Sequence, residues 1–172
     1  MSLRRLPPDR EAVARFVEEL WLPYHRELES IVESHALADG VADDLDQEVS
    51  YWTDRLDDPA FVVWIAADAS DETIPLGAAD LLGFLTTELE PAPAVFDRPD
   101  RLVIGDLYVR ERRRGTGLAD RLVDRAVARA RELGCGELVL DVDVDNERAL
   151  AFYERRGFSP LRHRLVADVD EV

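Results

Sequence analysis

Lysine is absent from this 172-residue chain: all 21 basic residues are arginine, and they face 37 Asp and Glu for a formal charge of −16. Cysteine occurs once, at Cys135, so no internal disulfide can form. The histidines, His25, His35 and His163, are scattered and make no ligand cluster, so no metal is expected. Cys135, between Gly134 and Gly136 at a predicted helix end, reads as a packing residue rather than a catalytic thiol. No apolar run approaches the roughly 20 residues that a membrane span needs. The start, Met1 to Pro8, carries two arginines but no apolar stretch behind them, unlike a secretory signal. A cytoplasmic protein without membrane association is the expectation. Fixed-period repeats and low-complexity tracts are missing too, which excludes a solenoid.

What is present is a chain with 47% apolar residues. The whole of it, 1–172, is expected to form a single α/β domain, large enough to bury about 70% of the surface of its unfolded state. The acidic residues run from Asp9 to Glu171 without forming a block. That distribution, with no lysine, reads as adaptation to multimolar salt, where the Debye length falls to about 3 Å. Recruitment of cationic amines or basic proteins is the alternative. Either way the charge excludes nucleic acid as a partner.

Patterning predicts the elements in order. Leu3 to Leu6 is a short edge strand, and Pro8-Asp9 opens a helix carrying Val13, Phe16, Val17, Leu20 and Trp21 at helical spacing. Pro23 is expected to interrupt it, with a second helix from Tyr24 to Leu37 and a third from about Leu45 to Leu56. Phe61 to Ala67 is a buried strand, with a break at Asp71 to Ile74. Leu81 to Leu89 is its partner, the proline-rich 91–100 a loop, and Leu102 to Arg110 a further strand. Gly117 to Leu133 is an amphipathic helix presenting Leu118, Leu122, Val123, Ala126, Val127 and Ala130 and stopped by Gly134. Leu138 to Val144 alternates as a half-buried strand, Asn146 to Arg156 is a short helix ended by Gly157, and Phe158 to Val166 is strand again. The order argues for a mixed sheet flanked by helices, and against a doubly wound dinucleotide fold, because the first half lacks crossover helices.

Arg114-Gly115-Thr116-Gly117-Leu118-Ala119 joins a strand to the amphipathic helix. Glycines let successive N–H groups turn inward, and the helix N-terminus adds positive potential, so the loop can hold a diphosphate. Arg112, Arg113 and Arg114 bring cations to the same place. A tight turn with solvated arginines is the plainer alternative. The sequence has no Gly-Lys-Ser/Thr and no complete Gly-x-Gly-x-x-Gly, so ATP and NAD are not the expected guests.

Val109 to Ala119 resembles the acyl-CoA motif of the GNAT superfamily of N-acetyltransferases, Arg/Gln-x-x-Gly-x-Gly/Ala, with Arg114, Gly117 and Ala119 filling it. A second family motif follows at its usual distance, with Asn146, Ala149, Tyr153, Gly157 and Phe158 matching. The opening Leu3 to Arg10 and Gly83 within its strand are also typical, so the resemblance covers about residues 2–166.

The resemblance implies a GNAT fold, a mixed sheet flanked by helices with two splayed central strands. It further implies acetyl-CoA as co-substrate and direct attack by a primary amine of a small molecule or protein. Leu107, Tyr108 and Val109 would contact pantetheine through their backbone, and Arg114, Gly115, Thr116, Gly117, Leu118, Ala119 and Asn146 would complete the cofactor site. Backbone N–H groups on that strand would stabilise the oxyanion. Tyr153 is the implied acid for the departing thiolate, unless it is a packing residue beside Phe152. Asn146 can also cap its helix. A Glu is often found where this chain has Gly105, so the base is open: Asp106, if a bulge re-aims it, water relayed to Asp141 or Asp143, or no dedicated base. Trp21, Tyr24, His25, Glu27 and the segment Val95-Phe96-Asp97 are the implied acceptor side, or else ordinary packing and surface. A catalytically weak acyl-CoA sensor of the same fold and an acidic interaction protein are the competing readings. A homodimer is compatible with the sequence, which carries no feature that establishes one.

Overall fold

The computed structural model describes residues 1–68 and 76–171. The break expected at Asp71 to Ile74 lies outside the described residues. The chain forms two compact units, Met1–Asp141 and Val142–Val172.

The first unit is built on five strands in the order β1-β2-β3-β4-β5: β1 (Ser2–Arg5), β2 (Phe61–Asp68), β3 (Asp80–Glu90), β4 (Arg101–Val109) and β5 (Glu137–Val139). The first four pair antiparallel and β5 joins β4 in parallel, so the sheet is mixed as expected. β2 is buried from Phe61 to Ala67, which explains its unbroken apolar run: both of its faces are covered.

One face packs against the N-terminal helices. Asp9 caps α1 (Arg10–Phe16) by accepting from the Ala12 N–H at 3.0 Å, and α1 runs without a stop into a π-helical turn, Val17–Trp21, and α2 (Leu22–Glu29). Pro23 therefore does not interrupt the helix. The π turn carries the backbone through it, with the Leu22 N–H reaching back to the Val17 carbonyl. Pro23 has no N–H for the Glu19 carbonyl, and the Arg110 guanidinium donates to that oxygen at 3.1 Å and to the Glu19 carboxylate at 2.9 Å. The helix expected to reach Leu37 ends at Glu29, where the Ser30 hydroxyl donates to the Glu27 carbonyl, and one 3-10 turn follows at Glu33–His35. With α3 (Asp46–Arg55), these helices close a core around Phe16, whose ring meets Trp52 and Phe84 edge-on at 5.2 and 5.0 Å.

The other face carries α4 (Leu118–Leu133), which Gly134 ends in the left-handed conformation. Its buried stripe includes a charge the apolar pattern did not mark, Arg129, 3% exposed. The guanidinium donates to the carbonyls of Ala60 and Thr87 at 2.8 and 3.1 Å and to the Thr87 hydroxyl at 2.6 Å, tying α4 to one end of the β2–β3 pair.

The second unit holds α5 (Glu147–Arg155), capped by Asn146 and stopped at Gly157. Two expected strands are corrected. The one predicted over 138–144 is three residues long, because β5 has a ladder partner only at Arg101–Val103. Phe158 to Val166 forms no strand, and Leu165 and Val166 are 90% and 99% exposed.

Candidate active site

β4 parts from β5 after Val103, whereas β3 accompanies it to Val109. Among the described residues, 104–109 thus have one edge without a ladder partner, because β5 ends at Val139. Pairing on the other edge fixes which groups face it. The Arg110 N–H donates to the Leu82 carbonyl at 3.0 Å, and N–H and C=O groups alternate sides along a strand. Leu107 and Val109 therefore present N–H and C=O to the open edge, while Tyr108, expected there as well, turns its backbone to β3.

A bulge interrupts β4. Leu85 stands opposite Leu107 and Thr87 opposite Ile104, so Thr86 alone faces both Gly105 and Asp106. The Asp106 N–H donates to the Thr86 hydroxyl at 2.7 Å. A Cβ at Gly105 would lie 2.5 Å from that same oxygen, so a side chain at 105 would have to displace the Thr86 hydroxyl. The carboxylate on this stretch is Asp106, a half-buried group that accepts a hydrogen bond from Tyr24. Burial raises its pKa above the usual carboxylate range, against smaller opposing effects of Tyr24 and of the charge on His35.

α2 supplies the neighbours. The Tyr24 ring meets Phe84 edge-on at 5.8 Å and lies 5.9 Å from Tyr108. The Tyr108 hydroxyl donates to Glu27 Oε1 at 3.1 Å, and its pKa is pushed up to about 12 by burial and by the Glu27 carboxylate. Arg114 Nη2 donates to Glu27 Oε2, and its Nε donates to the Val109 carbonyl at 3.1 Å. His25, packed on Trp21 at 4.4 Å, has its pKa pushed down to about 4 by burial first and by His35 second. Tyr24, Glu27, Asp106, Tyr108 and Arg114 are thus brought together, and Trp21 and His25 adjoin them along the helix. Val95, Phe96 and Asp97 lie exposed in the loop between β3 and β4. The sequence does not single out Thr86 and His35, which lie in no motif, or Arg110, which lies in the Val109 to Ala119 stretch but fills no motif position.

Arg110 leads into a 3-10 turn, Glu111–Arg113, and then the glycine loop. Gly115 and Gly117 take φ values of 71° and 79°, and open space lies where their Cβ atoms would be. No side chain caps α4 at Gly117, so its first-turn N–H groups are left for an external acceptor. The three arginines are not loose cations. Arg112 pairs with Asp80 at 2.6 Å, Arg113 with Asp68 at 2.6 Å, and Arg114 with Glu27.

In the second unit, Asn146 Oδ1 accepts from the Ala149 N–H at 3.1 Å, the capping role read from the sequence. Tyr153 packs its ring against Phe152 and Phe158 at 5.1 and 5.3 Å. Asp141 and Asp143 lie beyond the end of β5, outside any strand. Among the described residues no three His, Cys, Asp or Glu side chains group as a metal site requires, and no helix is long and apolar enough to cross a membrane.

Residues 15–158 match the model of the Acetyltransferase (GNAT) family. The chain belongs to the GNAT acetyltransferase family. An N-alpha-acetyltransferase of Arabidopsis thaliana, MAK3, is 49% identical over 45 residues, 26% of this chain and 24% of that protein. N-alpha-acetyltransferase 30 of Schizosaccharomyces pombe is 44% identical over 45 residues, 26% of this chain and 30% of that protein. The chain therefore spans a quarter to a third of the length of these relatives. Among solved structures, a Bacillus halodurans protein superposes with a TM-score of 0.76 at 18% identity, covering 98% of this chain and 100% of that one. An aminoglycoside acetyltransferase from an uncultured soil sample superposes at 0.67, also at 18% identity, covering 98% and 99%. At such identities the likeness establishes the GNAT fold.

Proposed function

We propose that this GNAT protein transfers an acetyl group from acetyl-CoA to a primary amine by direct attack, with the bulge at Gly105–Asp106 as the centre of the reaction. The observation that carries this reading is the placement of a half-buried carboxylate at the bulge of the strand whose open edge presents Leu107 and Val109. The loop fits a diphosphate: Gly115 and Gly117 leave the space a Cβ would fill, and Leu118 and Ala119 begin a helix that no side chain caps. Acetyl-CoA, when bound, supplies the activated acyl group. The N–H groups of Leu107 and Val109 point to the edge where they hold the thioester arm and polarise its carbonyl.

Asp106 takes the proton from the attacking ammonium or amine. Its raised pKa suits that work, because a carboxylate whose charged form is disfavoured by burial accepts a proton more readily than an exposed one. The family motif supports Tyr153 as the acid toward the leaving thiolate and Asn146 as a contact to the cofactor in addition to its cap. Tyr24 and Glu27 on α2 form the acceptor side. The partial likeness to N-alpha-acetyltransferases favours a protein N-terminus as the amine, and the aminoglycoside acetyltransferase of like fold keeps small amines in view. The acidic composition favours work in high salt.

A binding module without turnover is the alternative, and Gly105, standing where a Glu is often found, favours it. The bulge weakens it, since the carboxylate comes from the next residue. The test is release of free thiol from acetyl-CoA at high salt across peptides with free N-termini, polyamines and aminoglycosides. Amine-dependent release is expected. Stabilisation by acetyl-CoA in a melting experiment with no release for any amine would establish the binding module instead.

A further inference from the structure

Arg114 is the motif arginine of the glycine loop, yet its side-chain contacts lie on α2 and β4. It pairs with Glu27, takes the Val109 carbonyl at 3.1 Å, and sits 6.0 Å over the Tyr108 ring. Arg112 and Arg113 pair with Asp80 and Asp68 at the ends of β3 and β2. The Val109 carbonyl is one of the groups turned to the open edge of β4. Glu27 stands one turn along α2 from Tyr24, whose hydroxyl serves Asp106. A single guanidinium therefore occupies both a backbone acceptor on the strand assigned to the donor and a carboxylate beside the proposed base.

We infer that Glu27 changes its charged partner during the cycle: it is held by Arg114 and the Tyr108 hydroxyl in the chain alone, loses the guanidinium when Arg114 turns to the donor's diphosphate, and then receives the cationic amine of the acceptor. The inference rests on the loop taking a diphosphate, as proposed above. The exchange costs little, because the Arg114 and Glu27 side chains are 30% and 35% exposed and such pairs are weak, whereas arginine bonds phosphate oxygens strongly. Donor and acceptor are then positively coupled, each raising the other's affinity by the same factor.

The experiment is carboxylate footprinting of the wild-type chain with a carbodiimide and glycine ethyl ester, read by peptide mass spectrometry, with and without saturating CoA. Labelling of Glu27 should rise severalfold with CoA. Calorimetry of CoA binding to Glu27→Gln, Arg114→Gln and the double variant completes the test. Glu27→Gln should bind CoA about two- to fivefold tighter, the range for releasing a half-exposed ion pair, and this gain should vanish in the Arg114→Gln background. Unchanged or reduced labelling overturns the inference, as does no gain, or a gain equal in both backgrounds, which simple removal of a negative charge would give. A wild-type chain that binds no CoA refutes the proposed function itself, a separate outcome.

Discussion

Tyr24 donates a hydrogen bond to a carboxylate that burial keeps above its usual pKa. The two effects have opposite signs. Burial disfavours the charged form of Asp106, and the hydroxyl of Tyr24, like a positive charge on His35, favours it. Removing the hydroxyl leaves burial less opposed, so the pKa of Asp106 rises further. A base works only when ionised. In Tyr24→Phe the ascending limb of kcat/KM against pH should therefore move to higher pH, with the rate at alkaline pH largely retained. An unmoved limb would show that Asp106 is not the group titrating in turnover. Phenylalanine keeps the ring that meets His25, Phe84 and Tyr108, so the profile reads the loss of the hydroxyl.

Elements place these side chains through two irregularities, the π turn before Pro23 and the bulge of β4. At the bulge, Gly105 and Thr86 are one device: the threonine hydroxyl accepts from Asp106 and occupies the space of a Cβ at 105. Gly105→Ala should lower stability by about 1–3 kcal/mol, as overpacking does, and cost less in a Thr86→Ala background, where that hydroxyl is gone. Chemical denaturation of the four chains gives the coupling, and additive costs would contradict the device. Among the elements that meet large apolar partners, β2 was legible from its unbroken apolar run, α4 from its helical periodicity, and β3, β4 and α3 from apolar stretches between turn signals. The glycine loop and the cap at Asn146 were legible from their residues. Alternation in 138–144 marks the capacity for a strand but does not supply the partner strand, so that strand is cut short at Val139, and 158–166, which carries Pro160 and no regular alternation, forms none. Pro23 reads as a stop, and the cation that satisfies the orphaned Glu19 carbonyl comes from Arg110, 91 residues away. Arg129 was missed because its stripe position is helical while its charge points to the surface, and only the carbonyls of another element explain its burial.

At the scale of the whole molecule, charge is the dominant feature: −16 with arginine as the only strong cation. Many of those arginines are spent on local pairs, so the excess carboxylates repel one another across the surface. Screening that repulsion should stabilise the fold, since the Debye length falls from about 10 Å at 0.1 M to about 3 Å at 1 M salt. The melting temperature should rise by roughly 2–8 °C over that range, equivalent to about 1–2 kcal/mol for a chain of this size; a falling melting temperature would count against salt adaptation. The site, by contrast, gathers one carboxylate at the bulge and one on α2, and the account stands on the first. Comparison of the wild type with Asp106→Asn in amine-dependent thiol release from saturating acetyl-CoA tests it most directly. The account predicts a fall of about 10²–10⁴-fold in turnover with CoA affinity retained, and equal turnover in the two chains would contradict it.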